Sequence, residues 1–251
     1  MGLSDLLYSL YERRLVRELT EVPCHVGVVV DGNRRYAKSQ GKEAVGGYEA
    51  GAEKITEFLQ WCFELNIEVV TFWLLSTENL KRPAAELQGL LKVIENLVDK
   101  LATDDRWRIQ LVGALDLLPS ESAIRLKDAA ELSAKHGPMT VNICVGYGGR
   151  QELADAMKSL LLEKGAEGKS IDEIADSLDV AAIADHLYTK GQPDPDLLIR
   201  TSGEQRLSGF LLWQSVYSEF YFHDAMWPSF RRVDFLRALR DYAARERRYG
   251  L

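Results

Sequence analysis

Five runs of apolar, largely β-branched residues recur along this chain, and segments of helical spacing lie between and beyond them. "CHVGVVV", "IEVVTFWLL", "WRIQLVG", "MTVNICV" and "DLLIR" are continuous rather than alternating, as strands buried on both faces are. "AGAEKITEFLQWCFEL" reads as a helix, and "PAAELQGLLKVIENLVDKLA" as another with Pro83 suited to its first turn. Further helices are predicted from Ser120 to Lys135 and from Gln151 to Lys164. Two short helices follow, one opened by the capping box Ser170-x-x-Glu173, and a helix from Val233 closes the pattern. Strands and helices in this order imply an α/β architecture with a central, mainly parallel sheet covered by helices on both faces. The length, 251 residues, suits one large domain or two small ones. The Gly/Glu/Lys-rich patch from Glu163 to Lys169 reads as a loop, nothing around it marks a boundary, and no repeat is present, so a single domain over 1–251 is expected.

The formal net charge of −7 disfavours a nucleic-acid partner, which calls for an overall basic face. Cys24, Cys62 and Cys144 lie far apart in apolar segments and read as reduced, buried thiols. The four histidines make no zinc spacing. Leu3, Leu6, Leu7 and Leu10 recur at helical spacing behind Ser4, so residues 1–22 read as an amphipathic helix and its exit, ended by Pro23. Such a helix lies on a membrane or caps the fold; docking on the fold is expected, with at most peripheral membrane contact. No apolar stretch approaches membrane-spanning length and no cleavable signal precedes the first helix, which predicts a cytoplasmic location.

In an open parallel sheet, ligands bind beyond the carboxyl ends of the strands. Here the first strand ends in "DGNRR", the second in "STENLKR", the fourth in "GYGGR" and the fifth in "RTSGEQRLS". Solvated turns would explain the glycines but not the repeated arginines. The combination suits a polyanion held by guanidinium forks, backbone N–H groups and a metal. "GAEGKS" ends like a phosphate-binding loop, but the glycine that motif requires is Glu163, and a helix precedes it. "GYGGR" lacks the full dinucleotide spacing and reads as a tight turn that lets the next helix start near the site. Asp194 and Asp196, like Asp104 and Asp105, read as turn and surface residues.

Taken in order, "HVGVVVDGNRRYAKSQG", "LLSTENLKRP", "VGYGGR" and "DLLIRTSGEQRLSGFLLWQSVYSEFYFHDAMWP" resemble the successive motifs of the cis-prenyltransferases, the undecaprenyl diphosphate synthase family, from about His25 to Gly250. "LLSTENL", "YTKGQPDPDL" and "RTSGEQRLSGFLLWQS" resemble most its short-chain members, which make (2Z,6E)-farnesyl diphosphate. The resemblance implies a homodimeric, Mg2+-dependent enzyme that joins isopentenyl diphosphate to an allylic diphosphate, with geranyl diphosphate the expected primer. It gives Asp31 and Asn79 catalytic roles, the first holding Mg2+ against a diphosphate and the second positioning the proton transfer. Mg2+ suits this place, since it takes one or two carboxylates together with phosphate oxygens and waters.

By the same resemblance, Gly32, Asn33, Arg34 and Arg35 cradle the allylic diphosphate at a helix start, whose free N–H groups favour anions. Tyr36 packs beside that substrate, where the family usually has Trp. Ser76, Thr77, Glu78 and Leu80 surround Asn79, and Arg82 is a substrate contact; capping of the helix that follows Pro83 is compatible with both roles. Arg200, Arg206, Leu207 and Ser208 take the second diphosphate. Glu219 is the second magnesium-associated carboxylate, in or near the dimer interface. The tail, residues 240–251, reaches the partner's site through Arg248 and Gly250; read without the resemblance, it is a basic helix end facing its own dipole. Three departures stand out: Ala44 and Tyr48 replace an arginine and a histidine of long-chain bacterial members, Gln205 replaces a histidine, and Asn79 is followed by Leu80 instead of Trp. Tyr48 remains a candidate ligand. Leu74 stands where long-chain relatives have a small residue, so it either limits chain length or packs a core. Among competing readings, a longer-chain synthase making a lipid carrier is the nearest. A non-catalytic partner subunit would be expected to lack the Asp31 carboxylate and an intact "DGN" loop, and a lipid-binding protein would not need Asp31, Asn79 and Glu219 together.

Overall fold

A computed structural model describes residues 3–245, with the side chains of all of these except 3–7 and 9. Six strands form one sheet: β1 (His25–Val29), β2 (Val69–Ser76), β3 (Trp107–Val112), β4 (Met139–Tyr147), β5 (Leu197–Arg200) and β6 (Glu219–Phe222). Their order is β3-β4-β2-β1-β5-β6, and every pairing is parallel. The five expected strands are present. β6 is an addition: it is four residues long, half-exposed and at the sheet edge, so it lacks the continuous apolar run that marks a buried strand.

The helices are α1 (Leu3–Glu18), α2 (Asn33–Ser39), α3 (Ala44–Glu64), α4 (Ala84–Ala102), α5 (Ser120–Leu132), α6 (Gly149–Ala166), α7 (Ile171–Asp176), α8 (Val180–Ala184) and α9 (Arg232–Ala243). One sheet face buries Val26, Val28, Val70 and Phe72 beneath α3, α4 and α9, where Phe58 packs 4.5 Å from Phe235 and 5.5 Å from Trp227 between ring centroids. The other face carries Val29, Cys144 and Tyr147 against Phe210, Leu211 and Tyr188. Turns and the start of α6 together cover that face, where Tyr147 donates to Glu152 of α6 at 2.6 Å. α3 begins at Ala44, six residues before the expected helix, and so takes in Gly46 and Gly47 ahead of Gly51. Their absence of side chain serves packing: a Cβ on Gly47 would stand 2.1 Å from the Asn33 carbonyl oxygen, and one on Gly51 2.5 Å from Asn33 Oδ1. α5 stops three residues short of Lys135, and α6 starts at Gly149.

α1 docks on α9 through Leu15 and Tyr11, as expected, but Leu10 is 54% exposed; the side chains of Leu3, Leu6 and Leu7 lie outside the described residues. No helix among the described residues is long and apolar enough to cross a membrane. All three cysteines are free, with Cys62 and Cys144 buried and Cys24 half-buried. The Ser170 capping box is present. Asp196 is no surface residue: its Oδ2 accepts the N–H groups of Cys24 at 2.8 Å and His25 at 3.1 Å, fixing the start of β1.

A buried polar chain crosses the sheet under the 189–196 segment. His25 Nδ1 lies 2.8 Å from the Pro193 carbonyl, His25 Nε2 lies 2.7 Å from Thr71 Oγ1, and Asn142 donates to Thr71 Oγ1 at 2.9 Å. Burial pushes the His25 imidazole down to about 4, against a weaker opposing pull from the Pro193 carbonyl. A histidine with a lowered folded pKa binds more protons when unfolded, so its contribution is present above pH 6.5 and is lost as pH falls towards 4. Stability is therefore expected to drop by about 2 kcal/mol between pH 6.5 and 5 from this residue alone. Chemical unfolding at the two pH values measures it, and His25→Gln should flatten the slope.

Candidate active site

At the carboxyl end of β1 the chain turns through Gly32, whose φ of +102° excludes most side chains; a Cβ there would stand 2.9 Å from both Ser202 and Met226. The turn delivers Asp31 into the open and starts α2. Thr201 clamps it, accepting the Asp31 N–H at 3.1 Å and donating to the Asp31 carbonyl at 2.8 Å. The parallel register sets Val29 beside Arg200, which puts the Arg200 guanidinium next to the Asp31 carboxylate. Arg200 Nη2 donates to Asp31 Oδ2 at 2.9 Å, while Nη1 donates to Ser208 Oγ at 2.9 Å and to the Arg206 carbonyl. Its side chain is only 9% exposed, whereas that of Asp31 is 33% exposed. Arg200 is thus a buried plate joining the metal-type carboxylate to the loop after β5. That loop holds Ser202, Ser208 and Leu211 at positive φ, a strain of about 1 kcal/mol or more each that functional loops commonly carry.

The end of β2 is fixed differently. Ser76 Oγ accepts the Asn79 N–H at 3.1 Å, and Asn79 Oδ1 accepts the Ser76 N–H at 3.4 Å. This reciprocal closure is a cap, and it also locks the Asn79 carboxamide beside the cleft. Burial pushes the Glu78 carboxyl up, but its own N–H and the hydroxyls of Ser76 and Thr77 outweigh that and hold it below the usual carboxylate range. Glu78 is therefore an anion at neutral pH.

From α2, Arg35 donates to the Ser202 carbonyl at 3.2 Å and to its hydroxyl. Tyr48 of α3 donates to Glu86 Oε1 at 2.7 Å and accepts from Arg82 Nη1 at 2.9 Å. Burial, with the Glu86 bond second, pushes the Tyr48 phenol up to about 12, so it stays a neutral donor.

These groups surround one cleft of about 520 Å³. Asp31, Gly32, Asn33, Arg34, Arg35, Tyr48, Leu74, Ser76, Glu78, Asn79, Arg82, Arg200 and Ser208 all line it. Past Leu74 lies an apolar recess of about 30 Å³, walled by Ala52, Ile55, Leu90, Val93, Ile94 and Leu97 between the sheet and α3 and α4. Such a site has an arginine-rich mouth with two carboxylates, Asp31 and Glu78, a locked amide and an oily floor. It suits a diphosphate carrying a short hydrocarbon.

The comparisons with known proteins agree with that geometry. The model of the undecaprenyl diphosphate synthase family matches residues 29–250. The chain belongs to this family. It is 57% identical, with all of both chains covered, to the (2Z,6E)-farnesyl diphosphate synthase of Thermobifida fusca. It is 56% identical to isoprenyl transferase 1 of Streptomyces avermitilis, over 99% of this chain and 98% of that one. To the short-chain Z-isoprenyl diphosphate synthase of Mycobacterium bovis it is 52% identical, over 99% and 97%. Among solved structures it matches lavandulyl diphosphate synthase from Lavandula x intermedia, in complex with dimethylallyl diphosphate, at a TM-score of 0.84 and 33% identity, covering 92% of this chain and 99% of that one. This chain is accordingly a prenyl-transferring enzyme with the family's cis-prenyltransferase fold.

Not every expected residue of this prenyltransferase reaches the cleft. Tyr36, Thr77, Leu80, Arg206 and Leu207 do not line it, although the Arg206 carbonyl holds Arg200. The carboxyl end of β4 also stays out: Gly149 donates to the Gly209 carbonyl at 2.9 Å, and the turn serves to seat α6 against the loop after β5. Glu219 opens β6 in register with Leu197, and hence with Val26. Asp31 lies five residues beyond that level, roughly 16 Å along the strand direction. Within this chain the two carboxylates do not meet at one ion; Glu219 pairs instead with Arg245. Arg248 and Gly250 lie outside the described residues. Among the described residues, no group of three or more His, Cys, Asp and Glu is placed to hold a metal. The donor chemistry at Asp31, a single part-exposed carboxylate beside a diphosphate-sized cleft, fits Mg2+ held mainly through phosphate oxygens and water.

Side chains do not alternate along "FWLL". A register shift between Trp73 and Leu75 leaves Leu74 out of the ladder, and both Trp73 and Leu74 face the cleft while Phe72 and Leu75 are buried. Trp73, stacked on Phe210 at 5.4 Å between centroids, was legible only as a core aromatic. Glu86 was missed too, though its spacing of four from Arg82 on the way into α4 is a readable helix-pair signal.

Proposed function

We propose that this chain condenses isopentenyl diphosphate with geranyl diphosphate to give (2Z,6E)-farnesyl diphosphate, as a Mg2+-dependent homodimer. The observation that carries the reading is a cleft lined by Asp31, Arg200 and Asn79 that abuts, across Leu74, a small apolar recess. The names of the similar short-chain synthases support the product. In the reaction, the isopentenyl double bond attacks C1 of the primer, pyrophosphate leaves, and a proton is lost to set the new Z double bond. Arg34, Arg35 and Arg82 hold the primer's diphosphate at the mouth and oppose its growing charge as the bond breaks. Arg200, Ser208 and Arg206 hold the isopentenyl diphosphate. Asn79, locked by Ser76, orients the group that takes the proton. Asp31 would hold Mg2+, which when bound supplies charge neutralisation to the leaving pyrophosphate. A partner's Glu219 and tail would complete the dimeric site. Incubation of purified protein with labelled isopentenyl diphosphate and each allylic primer, followed by chromatography, tests the assignment: a short Z product from geranyl diphosphate is expected, and a long polyprenyl product would return the enzyme to the lipid-carrier class.

The two arginines of the second diphosphate should behave differently. Arg206 is 63% exposed and, among the described residues, its side chain pairs with Glu204, so Arg206→Ala is expected to raise the KM for isopentenyl diphosphate about 10- to 100-fold with little change in kcat. Arg200 also holds Asp31, so Arg200→Ala should lower kcat as well. Steady-state kinetics with each substrate varied separates the two; a rise confined to the allylic substrate would reverse the site assignment.

A further inference from the structure

Glu86 lies in the first turn of α4 and does not line the cleft, yet three groups that do line it converge on its Oε1. Tyr48 donates to that oxygen at 2.7 Å, and the Nη1 atoms of Arg34 and Arg82 stand 3.4 Å from it. Arg82 Nη1 also donates to Tyr48 Oη at 2.9 Å, so phenol, carboxylate and guanidinium close a triangle. Arg34 comes from α2, Tyr48 from α3, and Arg82 from the turn between β2 and α4. One carboxylate therefore gathers the mouth from three separate elements.

Two guanidinium groups brought to one point repel, and Arg34, 57% exposed, would gain hydration by turning away. A carboxylate between them removes that cost. At 3.4 Å both contacts are longer than a strong charge-assisted bond, and neither guanidinium has a further side-chain partner outside this group among the described residues. Their remaining N–H donors stay free for an incoming anion. The Tyr48 bond foremost, with the two arginines, holds the Glu86 carboxyl below the usual range despite burial, so the charge is present at neutral pH.

We propose that Glu86 is a positioning residue for the primer: acting through Tyr48, it keeps Arg34 and Arg82 converged on the cleft so that an allylic diphosphate meets two oriented guanidinium groups. The ligand's identity rests on the prenyl-transfer reading; the convergence does not. This also gives a task to Tyr48, which stands where long-chain members have a histidine: one hydroxyl oxygen donates to Glu86 while accepting from Arg82.

The test compares Glu86→Ala, Glu86→Gln and Tyr48→Phe, using calorimetry with inorganic pyrophosphate and the KM of each substrate. Glu86→Ala is expected to weaken pyrophosphate binding and raise the KM for geranyl diphosphate about 10-fold, leaving the KM for isopentenyl diphosphate and kcat within about 2-fold. Glu86→Gln should recover part of the loss, because it still accepts the Tyr48 hydroxyl. Tyr48→Phe should move the same parameter, and the double variant should be little worse than either single one. Wild-type binding and KM in Glu86→Ala, with only a lowered unfolding midpoint, would reduce Glu86 to a first-turn carboxylate on α4 and overturn the proposal. Tighter pyrophosphate binding would also overturn it, by making Glu86 a competitor of the ligand. If the unsubstituted protein transfers no prenyl group, the reaction assignment fails while the calorimetry still decides on Glu86.

Discussion

Replacement of Asp31 by alanine is expected to lower turnover on the order of 100-fold or more, and removal of Mg2+ by a chelator should do the same to the unsubstituted enzyme. The size follows from the place of the carboxylate. It is the acidic side chain at the end of β1, it reaches the cleft, and in the proposed reaction it would stand where the leaving pyrophosphate is neutralised. The substitution has a second consequence, because Arg200 loses the partner of its Nη2 while remaining nearly buried, with its Nε already without a partner. Leaving a buried cation short of its anion is destabilising. Asp31→Asn separates the two effects: it keeps an acceptor for Arg200 but weakens the metal ligand. The expected result is an Asn variant that unfolds near the wild-type midpoint and is as inactive as the Ala variant. Titration of activity with Mg2+ should then require much more metal in the Asn variant. Near-normal turnover in Asp31→Ala would mean that the site has been built around the wrong residue.

The parts of this fold that were legible in the sequence are those governed by local rules. β1, β2, β3 and β4 announce themselves because burial on both faces demands unbroken apolar runs, and "DGNRR" announces the site because a charged cluster has no other reason to follow such a run. What escaped was set by tertiary contact. Gly47 lies in a first helical turn that its sequence does not announce, and its need for no side chain is clear only once Asn33 is seen to occupy that space. β6 forms because the edge of β5 offers it hydrogen bonds, not because "EFYF" is a strong strand by itself. The site was legible residue by residue but not in its joins. Arg200 was readable as a diphosphate ligand, while its bond to Asp31 depends on the register of β1 against β5. Tyr48 was readable as a departure, while its partner Glu86 lies 38 positions away.

Leu74→Ala is expected to lengthen the product. The side chain stands at the junction of two spaces, lining both the catalytic cleft and the apolar recess beyond it. The bulge at Leu74 is what turns it there, since in an unbroken strand its neighbours would alternate between faces. The recess holds about 30 Å³, room for no more than a few waters and too little for another isoprene unit. A hydrocarbon growing from the primer's C1 must therefore stop against Leu74, unless that side chain is shortened. Truncation would join the cleft to the recess, whose walls are mostly aliphatic (Ile55, Leu90, Val93, Ile94 and Leu97, with Asn33 and Tyr48 at one side) and favour a prenyl tail over water. If Leu74 were instead an ordinary core residue, the same change would cost about 2–5 kcal/mol and leave the product unchanged. Its part-exposure on the cleft makes a smaller loss the expected one. Thermal unfolding of the variant, together with chromatography of its products from geranyl diphosphate, distinguishes the two outcomes. The expected pair is a modest fall in midpoint and a shift from C15 to longer diphosphates. A folded Leu74→Ala enzyme that still stops at C15 would move the limit deeper, to the residues of α3 and α4 that close the recess.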